Sequence, residues 1–263
     1  MGSGQLIVVK LGGSVLAGLT PAWWDDAAAV AARNRTVFVH GWSRPLEDWQ
    51  RQRGMEPVFR TNQHGHVSRF TDHAVIEGIR SVASPLRELI SRNLSGRGVS
   101  TRCVDAADEG LIEALIRPQR WWAGGELRRL DNLVGNITRV DTAMLAGILG
   151  KGQVPVVTPL ARSAGHRYAN VNADRATAAI AAHAGAADLV MVTDVPGVLV
   201  NGVLAPVLHA AELPGLRDQF SGGMRKKVRA AAEAIGSGTG RAVIGCATLT
   251  ELLAGQAGTR VVA

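Results

Sequence analysis

Residues 5–10 (QLIVVK) form a short unbroken apolar run, the pattern of a strand buried on both faces. Gly12 and Gly13 end it, and Pro21 through Arg33 reads as a helix. Thr36–His40 (TVFVH) is a second buried run, again closed by a glycine, Gly41. This rhythm predicts a parallel sheet whose site lies at the carboxyl tips of its strands. Residues 57–72 read as a hairpin turning at Gly65. Asp72 is placed to cap a helix that carries Ile76, Ile79, Val82, Leu86, Leu89 and Ile90 and closes near Gly96 and Gly98. Pro85 is expected to kink it.

Residues 100–141 carry the weakest pattern. Trp121-Trp122, Gly124-Gly125 and an alternation over 132–140 suggest a β-hairpin lid. Residues 141–150 read as a helix and Val154–Thr158 as a strand. In the second half, Asn170–Asp174 leads into an alanine-rich helix ending at Gly185. Strand Leu189–Thr193, a turn at Pro196-Gly197, a helix from Gly223 to Ile235, strand Ala242–Gly245 and a terminal helix and strand follow.

At 263 residues the chain can form one large α/β domain or two lobes, and 46% hydrophobic with 19% charged residues is ordinary for a globular enzyme. No apolar run approaches the roughly 18 residues needed to cross a bilayer, and the start, MGSGQLIVVK, lacks a basic leader. A cytoplasmic protein with Cys103 and Cys246 as reduced, buried thiols is expected. The charge is less ordinary: 29 Lys plus Arg against 22 Asp plus Glu give +7. Such a surface attracts polyanions, whether nucleic acid, acidic membrane or acidic protein. Charge alone does not choose among them.

Four segments carry chemistry. Lys10-Leu11-Gly12-Gly13-Ser14 sets an ammonium beside backbone N–H groups, a phosphate site by helix-terminus physics. The lysine precedes the glycines, so this is not the nucleotide P-loop pattern, and a tight turn is the simpler reading of the segment alone. Asn170-Val171-Asn172-Ala173-Asp174 sets two amides and a carboxylate at alternating positions, compatible with an Asx-rich turn in which Asp174 caps a helix. Thr193–Val198 (TDVPGV) is a buried strand emerging into a polar turn. Gly222–Lys227 (GGMRKK) puts backbone donors at a helix start with Lys227 one turn inside; a solvated basic face is the plainer alternative for Lys226 and Lys227.

Together KLGGS, the glycine after His40, SRFTD (Ser68–Asp72), NVNAD (Asn170–Asp174), TDVPGVL (Thr193–Leu199) and GGMRKKV (Gly222–Val228) resemble the amino-acid kinase family, in order over nearly the whole chain. The chain is most similar to the acetylglutamate kinase branch. Within it, the likeness is to kinases acting on glutamate or aminoadipate attached to a small acidic amino-group carrier protein; SRFTD and GGMRKKV carry that narrower resemblance. The resemblance implies an α/β fold, a three-layer αβα sandwich with a mainly parallel central sheet. It also implies two lobes: residues 1–163 for acceptor binding and dimerisation, residues 164–263 for ATP.

The same resemblance implies phosphorylation of a side-chain carboxylate to an acyl phosphate, with ATP and Mg2+ as cofactors and no protein-built metal site. Lys10 and Lys227 would stabilise the transferring phosphoryl group, and Asp174 would hold both lysines. Gly12, Gly13 and Gly223 would offer backbone donors, while Thr193, Asp194, Gly197, Val198 and Met224 would line the nucleotide site. Arg69 would take the acceptor's carboxylate by its bidentate fork, Asn170 its amino-acid end, and Gly41 with Trp42 would complete that pocket.

Departures from the family pattern matter. Where relatives carry His-Gly-Gly-Gly or His-Gly-Gly-Ser, this chain has His40-Gly41-Trp42-Ser43. A tryptophan at positive φ costs roughly 1–2 kcal/mol, so either the loop is rebuilt or the indole walls an altered acceptor pocket. Val104–Arg120 also lacks a glycine-rich loop expected in relatives. No amino-terminal assembly helix fits, so a homodimer without arginine feedback is expected. The carrier partner accounts for the charge through steering, with His64, His66, Arg60, Arg69 and Arg87 in or beside the first hairpin and Arg128, Arg129 and Arg139 in the lid. A zinc site from His64, His66 and His73 is conceivable but lacks supporting ligands. Free N-acetylglutamate is the alternative acceptor, and a non-catalytic nucleic-acid-binding protein the alternative class.

Overall fold

The computed structural model describes residues 4–263. Strand β1 (Leu6–Leu11) is followed by α1 (Pro21–Arg33), β2 (Arg35–His40) and α2 (Ser43–Arg51). A hairpin, β3 (Phe59–Thr61) and β4 (Val67–Arg69), turns at Gly65 and leads into the long α3 (His73–Ser95). Next come β5 (Thr101–Asp105), β6 (Ile112–Leu115), the hairpin β7 (Arg120–Ala123) and β8 (Glu126–Arg129), β9 (Asn136–Val140) and α4 (Thr142–Gly150). Then β10 (Val154–Thr158), β11 (Ala161–Ser163), β12 (His166–Ala169), α5 (Ala173–His183), β13 (Asp188–Val192), β14 (Leu199–Val200), β15 (Val203–Leu204) and β16 (Val207–His209). The chain closes with α6 (Leu213–Leu216), α7 (Gly222–Gly236), β17 (Arg241–Gly245), α8 (Leu249–Ala254) and β18 (Thr259–Val262).

Eight strands form one sheet in the order β16-β18-β17-β13-β1-β2-β10-β5, parallel throughout except for the β17–β18 pair. Side-chain alternation along β1 explains the layers. Ile7, Val9 and Leu11 pack with Trp23, Trp24 and Ala27 of α1 and Ile90 and Leu94 of α3 on one face. Leu6 and Val8 pack with Leu145 of α4, Ile180 of α5 and Ala231 of α7 on the other. A strand covered on both faces has no polar position to spare, which is why its sequence reads as an unbroken apolar run. The expected α/β sandwich with a mainly parallel sheet is therefore the observed architecture. The anticipated lobe boundary at 163/164 falls in the turn between β11 and β12, and the sheet runs continuously past it through the β1–β13 pair.

Local signals account for most boundaries. Thr20 caps α1 through a bond from Trp23 N (3.2 Å), with Pro21 in the first turn. Asp72 caps α3 by accepting from Val75 N (2.9 Å), and the helix runs on through Pro85 to Gly96. The helix α2 is missed by the sequence reading, although its Arg44–Asp48 and Glu47–Arg51 pairs at i,i+4 are a helix signature. The thiols also differ from expectation: Cys103 is half-buried on β5, and Cys246 is exposed just past β17. None of the described helices is long and apolar enough to cross a membrane.

Candidate active site

Lys10 projects from the carboxyl end of β1, and Asp174 stands in the first turn of α5. Asn172, not Asp174, caps that helix by accepting from Arg175 N (3.0 Å). Freed from capping, Asp174 faces the sheet: Lys10 Nζ lies 3.0 Å from its Oδ1 and Lys227 Nζ, from the first turns of α7, 3.8 Å from its Oδ2. The Lys10 contact is a charge pair without hydrogen-bond alignment at Oδ1. All three side chains are largely buried, at 6% (Lys10), 8% (Asp174) and 15% (Lys227) exposed. Burial alone would raise the Asp174 carboxyl, but the charges of Lys10 and Lys227 outweigh it and hold the group below the usual carboxylate range. Burial pushes the Lys227 ammonium below the ordinary lysine range; Lys10 pushes it the same way, and Asp174 opposes both.

Glycines surround this triad. A Cβ at Gly12, Gly41 or Gly223 would stand 3.7, 3.6 and 3.9 Å from the nearer ammonium nitrogen. At Gly13 a Cβ would sit 2.8 Å from the carbonyl oxygen of Gly41, so the loops after β1 and β2 can approach only because that position has no side chain. Gly222–Gly223 open α7 with no side-chain cap, leaving its first N–H groups without a capping side chain. The arrangement suits a migrating anionic group: two cations, exposed amides and one carboxylate that keeps the cations apart.

At the putting-together of the other predicted residues, the structure divides them. Thr193 follows β13, and its hydroxyl donates to exposed Asp194 (3.1 Å), whose charge reaches Lys227. Met224 is half-buried against the core under α7. Gly197 and Val198 are tied to Thr259: a Cβ at Gly197 would meet Thr259 Oγ1 at 2.6 Å, and Val198 is fully buried with its N–H given to Thr259 Oγ1 (2.8 Å).

The acceptor side also differs in detail. Trp42 has φ −137°, so no left-handed strain arises at this departure from the family pattern. Its indole does not wall an open pocket; it is 6% exposed and packs with Leu46, Ile76, Ile79 and Leu160. Arg69 is already engaged. Glu47 Oε1 accepts from it at 2.7 Å and Gln50 Oε1 at 2.9 Å, while its guanidinium covers the Phe59 ring. Asn170 donates to Thr71 Oγ1 (2.9 Å), and Thr71 donates to the Arg69 carbonyl (3.2 Å), so a single buried threonine ties the two predicted acceptor residues. Asn132 Oδ1 fixes Thr71 N at 2.9 Å. The sequence reading misses Glu47, Thr71 and Asn132. Only Thr71 had a signal, its place in SRFTD.

Arg87 does not join the hairpin cluster; it lies on α3 and reaches Thr158 Oγ1 (3.3 Å) and Asp105 (3.8 Å). The three-histidine zinc option fails as well: among the described residues no group of three or more His, Cys, Asp or Glu could hold a metal. Beside Arg87, His40 is fully buried and bonds Thr158 Oγ1 through Nε2 (2.9 Å). Burial pushes its imidazole down to about 3, helped by the charges of Arg87 and Lys10. The ring is therefore neutral when folded, whereas the unfolded chain protonates it near pH 6.5. Stability is complete above that pH and falls below it by about 1.4 kcal/mol per unit. Urea unfolding at pH 5 should report about 2 kcal/mol less than at pH 7 from this group, and His40→Gln should remove that part of the loss. Equal pH 7-to-5 losses in both proteins would refute the assignment.

Comparison with known proteins agrees with this geometry. Residues 5–246 match the amino acid kinase family. A protein of Cenarchaeum symbiosum named as a LysW-aminoadipate/LysW-glutamate kinase is 36% identical over 244 residues, covering 91% of each chain. The acetylglutamate kinase of Rubrobacter xylanophilus is 34% identical, covering 98% of this chain and 97% of its own. Among solved structures, N-acetylglutamate synthase from Neisseria gonorrhoeae superposes with a TM-score of 0.82 at 24% identity, over 99% of this chain and 60% of the synthase. Giardia carbamate kinase superposes at 0.68 and 16% identity over 99% of both chains. At those identities the superpositions speak for the fold. The chain belongs to the amino acid kinase family. It is an enzyme, a kinase.

Proposed function

We propose that the chain transfers the γ-phosphoryl group of ATP to the side-chain carboxylate of a glutamate- or aminoadipate-type amino acid linked to a small acidic carrier protein. The observation that carries this is the convergence of Lys10 and Lys227 on Asp174 in a buried cleft. Phosphoryl transfer between two anions is limited by charge repulsion and by charge developing on the bridging oxygens, and fixed cations act on both. The Lys10 end, beside Gly12, Gly13 and Gly41, would hold the acceptor oxygen and transferring group; the α7 end, with Thr193 and Asp194, would hold the nucleotide. On this reading the residues up to 163 serve the acceptor and those from 164 the nucleotide. Magnesium, when bound with the nucleotide, would supply charge neutralisation on its phosphates. Exposed Asp194 is the carboxylate that would help hold it, since such an ion needs few protein ligands.

The carrier is favoured by the relatives named for LysW-linked substrates and by a surface feature. The β3–β4 and β7–β8 hairpins are joined by an Asn62–Trp121 bridge and a Gln63 N to Arg120 O bond (3.0 Å). Exposed Phe59 and Val67 share one face of the first hairpin, and exposed Trp122 and Leu127 share a face of the second with Arg120 and Arg129, a combination suited to an acidic protein rather than to a free amino acid. Free N-acetylglutamate is the second reading, on the strength of the acetylglutamate kinase relatives.

Trapping the product with hydroxylamine tests both. An acyl phosphate yields a hydroxamate. With an acidic carrier bearing glutamate, kcat/KM should fall about tenfold or more between low and physiological salt, as steered encounters do. Turnover of free N-acetylglutamate at comparable kcat/KM, indifferent to salt, would decide for the second reading.

A further inference from the structure

Arg69 is enclosed, and the chain itself answers its charge. The side chain is 9% exposed; Nη2 donates to Glu47 Oε1 (2.7 Å), Nη1 donates to Gln50 Oε1 (2.9 Å), and the Phe59 ring covers the guanidinium with its centroid 4.8 Å from Cζ. Both prongs of the fork that would grip an incoming carboxylate are therefore taken. Glu47 is the opposite case. Its side chain is 25% exposed, and its second oxygen lies 3.7 Å from the exposed guanidinium of Arg51, a contact that water screens. What solvent meets here is the carboxylate, not the guanidinium.

Printed contacts on two sides set this pair beside the lysine site. A Cβ at Gly41 would stand 3.6 Å from Lys10 Nζ, and one at Gly13 would stand 2.8 Å from the Gly41 carbonyl oxygen and 3.1 Å from Pro45 Cδ, so the first turn of α2 packs on the loop after β1. Glu47 follows on the same helix, with its Cα at most about 14 Å from that of Gly41. That ceiling is spanned by a five-carbon diacid together with an amide-linked group at its far end. On the other side, Thr71 accepts from Asn170 (2.9 Å) and donates to the Arg69 carbonyl (3.2 Å), which fastens β4 to the segment leading into Asp174.

We propose that Glu47 is a specificity-determining residue: by filling Arg69 it turns the subsite for the acceptor's α-carboxyl from anion-binding to hydrogen-bond-accepting, and the enzyme phosphorylates glutamate-type side chains whose α-carboxyl is an amide. The proposal rests on the carboxyl-kinase reading and deepens it by naming the substrate class. A free α-carboxylate arriving beside Glu47 meets a like charge next to a guanidinium that is already neutralised. An amide brings no charge, and its N–H can donate to Glu47 Oε2.

The test compares the α-amide of N-acetyl-L-glutamate with N-acetyl-L-glutamate by hydroxamate formation. The wild-type enzyme should prefer the amide by about tenfold in kcat/KM, as a neutral group is preferred to a like-charged one. Glu47→Gln keeps a hydrogen-bond acceptor for Arg69 but frees its charge, and should reverse the preference towards the free acid. Adding Arg69→Gln should cancel that reversal. Glu77→Gln on α3 removes an exposed carboxylate elsewhere and should keep the wild-type ratio. A wild-type preference under about threefold overturns the proposal without any variant having to fold; so does a Glu47→Gln ratio within about twofold of the wild type, or a reversal that survives Arg69→Gln. Absence of hydroxamate with both compounds is a different failure, that of transfer to such acceptors. Calorimetric titration of the wild type and Glu47→Gln with ADP present then decides: the amide should bind more tightly to the wild type and the acid to the variant. Equal affinities, or binding of neither compound, overturn the proposal.

Discussion

Lys227→Met should lower kcat by about 10²- to 10³-fold, the cost of removing one preorganised transition-state donor, while leaving the protein as stable as the wild type or more so. The two halves of this result have one cause. Lys227 is held in a site that disfavours its charge: burial lowers its pKa, Lys10 lowers it further, and Asp174 only partly compensates. A group whose folded pKa lies below its unfolded value subtracts stability at neutral pH, and that loss fades only as the pH rises towards the unfolded lysine value. Replacing the ammonium by an isosteric thioether removes the loss together with the charge proposed to act on the phosphoryl group. Thermal melting alongside hydroxamate formation measures both. A variant that melts well below the wild type, or that turns over within about tenfold of it, would show that Lys227 is a structural cation and not one aimed at the phosphoryl group.

Asp174→Asn should be the most damaging single substitution in the cleft. It leaves Lys10 and Lys227 with no counter-charge, at side-chain exposures of 6% and 15%. Breaking a buried ion pair by removing one partner costs about 3–5 kcal/mol, a large part of the roughly 5–15 kcal/mol that holds a typical domain folded. Urea unfolding at pH 7 should register that loss. The double variant Asp174→Asn with Lys10→Met should recover much of it, because one of the two unpaired charges is gone, yet turnover should stay absent. A single variant within about 0.5 kcal/mol of the wild type would mean that water or a flexible side chain already neutralises the lysines, and that the carboxylate does not organise them.

The parallel sheet was legible because its cause is local. Buried strands such as β1 must be apolar on both faces, and their glycine stops mark where the chain leaves the sheet. The helix start at Asp72 was legible for the same reason, since a cap is a contact within three residues. The assignment of Asp174 as a cap failed on a choice of one turn: both Asn172 and Asp174 can accept a helix N–H, and only the position of β1 decides which carboxyl or amide faces the sheet. Trp42 was misread because the family pattern carries glycine there, whereas φ at this position is negative and the ring has a core to enter.

What the sequence determined unaided is the set of charges and donors at strand tips and helix starts, because burial periodicity and capping are properties of neighbouring residues. What tertiary structure decided is which of those groups stay available. Glu47 and Gln50 come from a helix distant in sequence and occupy Arg69, Thr259 claims the N–H of Val198, and Thr71 ties Asn132 to Asn170. Each of these partners lies 19 to 99 residues away from the group it binds, and no periodicity reports a bond over such a separation, since its energy depends on distance in space and not along the chain.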